Sequence, residues 1–352
     1  MTRISIFIGT IKGAFVLRSD EQRRNWSVEG PLVKGWKATA IGRAPSGDYI
    51  LGTSSVVYGT ALHRSRDLVE WTPLEAPPAY SPKSGFKLNQ VWTLATAGER
   101  MLCGVDEAGV FESRDDGTTW QLVDGLSSLP SRHKWFPGFG GMCAHSVLSA
   151  NGGERLWVGI SAVGVFRSDD GGRTWSSKNA GVPKVIPDEQ YDDIGFCVHA
   201  LAHDPDDPDT IWRQDHKGMF RSRDGGESWD SIETGLPSGF GFPLVRDRNT
   251  KTLYSFPLES DEYRLPMEGR VRIYRSRDDG DSWEATCAGL PQEHAYEGCL
   301  RSAMALDHLD PPGVYVGTTA SHVYASADGG DSWTQQPCVL PRILAVEAFV
   351  EG

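Results

Sequence analysis

The sequence contains no uncharged apolar run of about 18 residues, the length that a membrane-spanning helix needs. The N-terminus, MTRISIFIGT, lacks the apolar segment and small-residue cleavage site of a signal peptide. Cysteine is scarce, with six in 352 residues, too few for a disulfide scaffold of this size. We therefore expect a cytoplasmic protein with free thiols and no membrane partner.

Positive charge is also in deficit. The 35 Lys and Arg residues are outnumbered by 47 Asp and Glu residues, which gives a net charge of −12. An acidic chain repels the phosphate backbone, so nucleic acid is not an expected partner. The sequence has no phosphate-binding loop, serine nucleophile elbow or dinucleotide fingerprint, which leaves nucleotide hydrolysis, serine esterase chemistry and hydride transfer without support.

Glycine, proline and tryptophan are abundant, with 40, 21 and 12 residues, and much of this abundance belongs to a repeat. The pattern Ser-x-Asp-x-Gly-x-(Ser or Thr)-Trp occurs five times, at residues 113–120, 168–175, 222–229, 276–283 and 326–333. Two incomplete copies precede them at residues 19–26 and 65–71. The repeat therefore runs along the whole chain, which indicates a repeat architecture.

The spacing of the motif tryptophans indicates what each repeat contains. Successive tryptophans are 45 to 55 residues apart, which is room for four short strands and their turns. Four-stranded units that cannot bury both faces alone pack side by side and close radially. The sequence predicts an all-β fold, a seven-bladed β-propeller that forms a single domain over residues 1–352. The terminal run 343–350 is expected to pair into the first blade and close the ring.

The motif resembles the Asp box of BNR-repeat propellers, a superfamily that includes sialidases, sortilin-type propellers, xyloglucan-active glycoside hydrolases and a photosystem assembly factor. The resemblance implies a sialidase-like or glycosyl hydrolase-like fold, with each motif in the turn between strands three and four, on the face opposite the ligand site. The aspartates of the turn then hydrogen-bond the backbone and carry no chemistry. They are Asp115, Asp170, Asp224, Asp278 and Asp328.

Alignment of the inner strands places polar side chains at about one level near the axis. The predicted ligand-binding residues are Lys37, Trp92, Arg301 and Arg342, with Tyr296 on the rim. Converging cations bind carboxylate or phosphate, and the set is similar to the arginine triad of sialidases. It differs in having a lysine at one position, and seven blades are predicted here where sialidases have six. Surface ion pairs are the alternative role for these cations.

Histidines from neighbouring units suggest a metal site. His145, His199 and His216 are predicted to bind a divalent transition metal, leaving one position open for water. The alternative is that each imidazole bonds a carbonyl of the next blade. No spacing signature decides between them, and no other cofactor is indicated.

The predicted catalytic residues are His145, His199 and Glu297. With the cations nearby, they favour an intracellular hydrolase or lyase that acts on a small glycoside or anionic metabolite at the axial mouth. The alternative is a non-catalytic propeller that binds a ligand or a protein partner, like the assembly factor. A concave pocket favours the first hypothesis, and a flat surface favours the second.

Overall fold

The computed structural model describes residues 2–138, 140–186, 188 and 190–351. β-Strand is the main regular secondary structure of these residues, as the sequence predicts. The strands are β1 (Arg3–Thr10), β2 (Gly13–Asp20), β3 (Ser27–Leu32), β4 (Lys37–Arg43), β5 (Tyr49–Ser55), β6 (Gly59–Ser65), β7 (Thr72–Pro73), β8 (Gln90–Ala97), β9 (Arg100–Asp106), β10 (Gly109–Ser113), β11 (Gln121–Leu122), β12 (Ala144–Ala150), β13 (Arg155–Ile160), β14 (Gly164–Ser168), β15 (Ser176–Ser177), β16 (Val198–His203), β17 (Ile211–Asp215), β18 (Gly218–Ser222), β19 (Asp230–Ser231), β20 (Gly241–Arg246), β21 (Leu253–Pro257), β22 (Ile273–Ser276), β23 (Glu284–Thr286), β24 (Cys299–Leu306), β25 (Val314–Thr318), β26 (Val323–Ser326), β27 (Thr334–Gln335) and β28 (Ile343–Glu351).

Helix is rare in this part of the chain. It is confined to α1 (Asp124–Ser127) and three short 3₁₀ helices at Pro130–Lys134, Asn151–Gly153 and Met267–Gly269. None of the helices in the described residues is long and apolar enough to cross a membrane.

Consecutive strands form antiparallel sheets. The sheet orders are β4-β5-β6-β7, β11-β10-β9-β8, β12-β13-β14-β15, β16-β17-β18-β19 and β20-β21-β22-β23, together with an eight-stranded sheet in the order β27-β26-β25-β24-β28-β1-β2-β3. Repeated four-stranded sheets of short strands are consistent with the predicted β-propeller. The number of blades and the closure of a ring stay predictions.

The C-terminal strand joins the N-terminal strands, as the sequence predicts. Strand β28 pairs with β1 in antiparallel register, with Ile4 opposite Val350 and Ile8 opposite Val346. On its other side β28 meets β24 in parallel at Ser302 and Ala345. The two ends of the chain are therefore held in one sheet.

The described contacts divide the chain into two compact units. Unit 1 comprises Met1–Ala38, Trp212–Arg221 and Ser231–Gly352, and unit 2 comprises Thr39–Ile211 and Ser222–Asp230. Each unit buries its own apolar clusters, such as those around Phe256 in unit 1 and Phe166 in unit 2. The single domain over residues 1–352 stays a prediction, and the two units are described separately below.

The repeated motif forms a hydrogen-bonded turn. Asp115 accepts hydrogen bonds from the Ser113 hydroxyl at 2.8 Å and from the Thr119 amide and hydroxyl at 2.9 and 2.6 Å. Gly117, with φ of +81°, donates its amide to the Ser113 hydroxyl at 2.8 Å. A left-handed residue at this corner is accommodated by glycine without the cost of a Cβ. The same pattern surrounds Asp170, Asp224, Asp278 and Asp328.

The indoles of Trp120 and Trp175 donate to carbonyls of their own turn, whereas two later motif tryptophans connect one repeat to the preceding one. The indole of Trp229 donates to the carbonyl of Lys178 at 2.9 Å, and that of Trp283 donates to the carbonyl of Ile232 at 2.8 Å. Both side chains are buried. The turn aspartates and tryptophans therefore have structural partners, which agrees with the structural role predicted for them.

Candidate functional site

Unit 1 contains a cavity of about 280 Å³ at the start of its strands β20, β24 and β28. Its lining residues are Phe242, Leu258, Arg264, Gly298, Cys299, Leu300, Thr319 and Arg342. This volume lies near the lower end of the range for ligand pockets, about 300–1,000 Å³. The cavity is therefore of a size that suits a small molecule.

Three arginines lie in or beside this cavity. Arg264 and Arg342 line it, and the guanidinium carbon of Arg301 lies 5.0 Å from the centre of the Phe242 ring. The guanidinium carbon of Arg264 lies 5.4 Å from the same ring. The described lining residues include no Asp or Glu. Because guanidinium groups bind carboxylate and phosphate in a bidentate manner, the cavity suits an anion.

Arg264 reaches the cavity from a compact loop after β21. The Glu259 amide donates to the carbonyl of Leu265 at 2.7 Å, and the Arg264 amide donates to that of Ser260 at 2.9 Å. The Arg264 side chain is tied to the same loop, since Nε donates to the carbonyl of Asp261 at 3.1 Å. Arg264 has a φ of +53°, a region that non-glycine residues seldom occupy. Such conformations cluster at functional sites, so the loop is a candidate part of the site.

The remaining walls are apolar except at Thr319. The Thr319 hydroxyl accepts a hydrogen bond from the Gly298 amide at 3.0 Å, which leaves the hydroxyl hydrogen available to a ligand. Burial raises the pKa of the Cys299 thiol, so this residue stays a thiol and is a poor nucleophile at neutral pH. The cavity therefore combines cations and one hydroxyl with apolar surface.

Glu297 lies next to Gly298 and is 3% exposed. Its carboxylate accepts hydrogen bonds from the Thr318 hydroxyl at 2.6 Å, the Tyr324 hydroxyl at 2.7 Å and Nδ1 of His322 at 3.0 Å. Burial and the hydrogen bond to Glu297 raise the pKa of Tyr324, which stays a neutral donor. His322 was not identified from the sequence, because its partner lies 25 residues earlier in the chain.

The structure places the two remaining predicted ligand residues of unit 1 outside the described cavity lining. Tyr296 is 62% exposed and lies against Gly269. Lys37 is exposed at the start of β4. Their predicted roles in ligand binding, like those of Arg301 and Arg342, stay predictions.

In unit 2, Trp92 is partly buried in β8, and His145 contacts Val198, the residue before His199. His145 is 5% exposed, and its Nε2 donates to the carbonyl of Val198 at 2.8 Å while Nδ1 lies 3.1 Å from the Ser146 hydroxyl. His199 is 3% exposed, with Nε2 3.6 Å from Sγ of Cys197. To bind a metal, His145 would have to give up one of these hydrogen bonds.

In unit 1, His216 lies beside the loop that carries Arg264. Its Nε2 is 2.9 Å from Oδ2 of Asp261, and its ring contacts Phe240 edge-on at 5.4 Å. The predicted metal site of His145, His199 and His216 stays a prediction, as do the catalytic roles of His145, His199 and Glu297.

Comparison with known proteins supports the fold. No family model matches the chain. A xyloglucanase, Xgh74A of Acetivibrio thermocellus, is 28% identical over 203 residues, which cover 49% of this chain and 23% of that protein. A solved glycoside hydrolase, the GH74 enzyme of Niastella koreensis, matches with a TM-score of 0.58 and 18% identity over 93% of this chain and 46% of that one. YCF48 bound to D1 peptide matches with a TM-score of 0.55 and 14% identity over 86% of this chain and 82% of that one.

These similarities support an all-β, β-propeller fold. The chain spans less than a quarter of the length of the curated relative, and the solved structures are too distant in sequence to transfer an activity. The site of this chain must therefore be argued from its own residues.

Proposed function

We propose that this chain is a β-propeller hydrolase or lyase that binds a small organic anion in the cavity of unit 1. The observation that carries the proposal is the gathering of Arg264, Arg301 and Arg342 around Phe242 and the cavity, without an acidic residue in the described lining. Like charges at close range are unfavourable, and an anionic ligand would relieve their repulsion.

The cavity also indicates the form of the ligand. The arginines and the Thr319 hydroxyl suit a carboxylate or phosphate group, whereas Leu258 and Leu300 suit an apolar body. A small glycoside that carries an anionic group fits this description. The similarity to a xyloglucanase and to a GH74 enzyme supports glycoside chemistry over other hydrolysis.

Calorimetric titration with benzoate, benzamide and inorganic phosphate tests the proposal. Benzoate or phosphate should bind, and neutral benzamide should bind much more weakly. Arg342→Gln should weaken anion binding by about 10- to 100-fold, because a hydrogen bond to a charged group contributes about 1.5–3 kcal/mol. The control Arg277→Gln changes an exposed arginine of a motif turn and should leave binding unchanged.

Several outcomes would overturn the proposal. They are the absence of anion binding, equal binding of benzoate and benzamide, or the same affinity in Arg342→Gln and Arg277→Gln. Each would show that the arginines do not form an anion site.

The second candidate function is binding without catalysis. The similarity to YCF48 bound to D1 peptide favours it, because in that structure a similar fold holds a peptide. In this case the cavity would take a carboxylate of a protein partner. Incubation with 4-nitrophenyl β-D-glucuronide and 4-nitrophenyl phosphate separates the two functions. Release of 4-nitrophenolate supports the enzyme, whereas anion binding without release favours the binding protein.

A further inference from the structure

The hydrogen bonds of Glu297 determine which nitrogen of His322 carries a proton. An ionised carboxylate only accepts hydrogen bonds, so all three of its neighbours must donate. The hydroxyls of Thr318 and Tyr324 donate at 2.6 and 2.7 Å, and the Nδ1–H group of His322 donates at 3.0 Å. The neutral imidazole of His322 is therefore the Nδ1–H tautomer, with its lone pair on Nε2.

The Nε2 atom of His322 is available for chemistry. The side chain is 32% exposed, while the Glu297 side chain that orients it is 5% exposed. Among the residues that the structure describes, none forms a hydrogen bond with Nε2 of His322. A buried carboxylate that orients a partly exposed imidazole is the arrangement of a histidine base.

The turn that contains His322 also contributes a residue to the lining of the anion cavity. The turn connects β25 to β26, and its first residue, Thr319, lines the cavity. It is closed by hydrogen bonds from the Thr318 amide to the carbonyl of His322 at 2.9 Å and from the His322 amide to the Thr318 hydroxyl at 3.2 Å. Glu297 and Gly298 lie just before β24 and link the two sites, because Gly298 also bonds Thr319.

We propose that His322 is the proton-accepting residue of this site and that Glu297 is its positioning residue. The inference rests on the proposed function. In a hydrolysis, an O–H bond of water breaks as its oxygen forms a bond to the electrophilic atom of the bound anion, and the proton moves to Nε2 of His322. The proton then passes to the leaving group as its bond breaks, so the imidazole returns to its neutral form.

A second histidine provides a matched control. Nδ1 of His308 lies 2.8 Å from Oδ1 of buried Asp247, and the His308 side chain is 31% exposed. The pairing and the exposure are those of His322. His308 belongs to the connection between β24 and β25, and it is not among the described residues that line the cavity. A property caused only by pairing with a carboxylate should therefore appear in both histidines.

The first experiment reads the tautomer in the intact protein. Imidazole nitrogen NMR at about pH 8, above the usual pKa of histidine, should show protonated Nδ1 and bare Nε2 for His322. In Glu297→Gln the side-chain amide donates as well as accepts, so the His322 tautomer should shift while His308 is unchanged. A wild-type His322 in the Nε2–H form would overturn the proposal without any need for the variant to fold.

The second experiment tests whether bound ligand protects His322 from chemical modification. Diethyl pyrocarbonate modifies the bare nitrogen of histidine, and peptide mass spectrometry gives a separate rate for each residue. Saturating benzoate should slow modification of His322 by about tenfold and leave His308 unchanged, because the turn that carries His322 contributes Thr319 to the cavity lining, whereas His308 lies in a different connection. Equal protection of the two histidines, or protection of neither when benzoate is bound, would overturn the proposal.

Turnover completes the test and separates the two proposals. With 4-nitrophenyl β-D-glucuronide or 4-nitrophenyl phosphate as probe, His322→Gln should lower kcat by about 10²–10⁴-fold with little change in benzoate affinity. Failure of every anion to bind would end the proposed function, whereas bound anion with an unprotected His322 would end only this inference. Retained turnover in His322→Gln would also contradict it.

Discussion

Arg23 forms a bidentate ion pair with Asp307, a residue 284 positions later in the chain. Nε donates to Oδ2 at 2.7 Å and a terminal nitrogen donates to Oδ1 at 3.0 Å. The Tyr315 hydroxyl also donates to Oδ2 at 2.8 Å. The two charged side chains are 6% and 0% exposed, so the pair joins the loop after β2 to the loop after β24 inside unit 1.

Arg23→Gln should destabilise the protein by about 3–5 kcal/mol, because it leaves a buried carboxylate without its partner. Urea denaturation measures the change, and Arg24→Gln, at an exposed neighbouring position, is the control. The control should change stability by less than about 0.5 kcal/mol. Equal effects of the two substitutions would show that the ion pair does not stabilise the fold.

The same pair has a consequence for acid stability. Burial opposes ionisation of Asp307, but hydrogen bonds from Arg23 and from the Leu309 amide outweigh it and hold the pKa of this carboxyl below its usual range. A lowered pKa gives stability that is present above about pH 4 and is lost as pH falls through the folded-state pKa. The wild type should therefore lose more stability than Arg23→Gln between about pH 4 and pH 2.

A motif turn should show a similar dependence. Hydrogen bonds from the hydroxyl and amide of Thr174 lower the pKa of Asp170 to about 2. Asp170→Ala should cost about 1 kcal/mol at neutral pH, and this difference should fade as pH falls through about 2. Thermal unfolding of the variant beside Asp230→Ala, a change at an exposed strand residue, measures it. A loss that persists at acid pH would contradict the assigned role of the carboxylate.

The turns could be predicted from the sequence because every interaction in them is local. Ser113, Asp115 and Thr119 lie within seven residues, so their hydrogen bonds depend on little except the local backbone. The recurrence of Trp120 and its equivalents then indicated four-stranded sheets. Pairing of β28 with β1 followed from the unmatched strands at the two ends of the chain.

The site could be predicted only in part. The alignment of the inner strands predicts Arg301 and Arg342 as site residues. The structure places Arg301 against the ring of Phe242 and Arg342 in the cavity lining. Arg264 was missed because the conformation of its loop depends on contacts such as that of Asp261 with His216. His322 was missed because pairing with Glu297 is a property of the folded sheet and has no local signature.

Glu347 should make stability fall as pH rises. Glu347 lies opposite buried Phe7 on the neighbouring strand, and desolvation by the surrounding protein raises the pKa of its carboxyl to about 7. The unfolded chain ionises first, so stability is lost from about pH 4.5 to pH 7 and is constant above it.

Glu347→Gln should remove this loss. The variant should match the wild type in melting temperature at about pH 4 and exceed it at about pH 8. Glu293→Gln, at an exposed loop position, should show no such crossover. A pH-independent difference between wild type and Glu347→Gln would show that the carboxyl titrates normally.

Phe242 should control ligand affinity through the arginines. Its ring faces the guanidinium groups of Arg264 and Arg301 at 5.4 and 5.0 Å, and such contacts contribute about 0.5–2 kcal/mol each. Phe242→Leu keeps an apolar side chain but removes the ring face that orients both cations. Benzoate affinity should therefore fall by about 3- to 30-fold in calorimetric titration.

Phe240→Leu is the matched control for this prediction. Phe240 is also buried and contacts Phe242 edge-on at 5.3 Å, so its replacement should disturb packing to a similar degree. The cation–π contacts of Arg264 and Arg301 described above are with Phe242, so benzoate affinity should change by less than about twofold in Phe240→Leu. Equal losses in the two variants would mean that packing of unit 1, and not the orientation of Arg264 and Arg301, determines anion affinity.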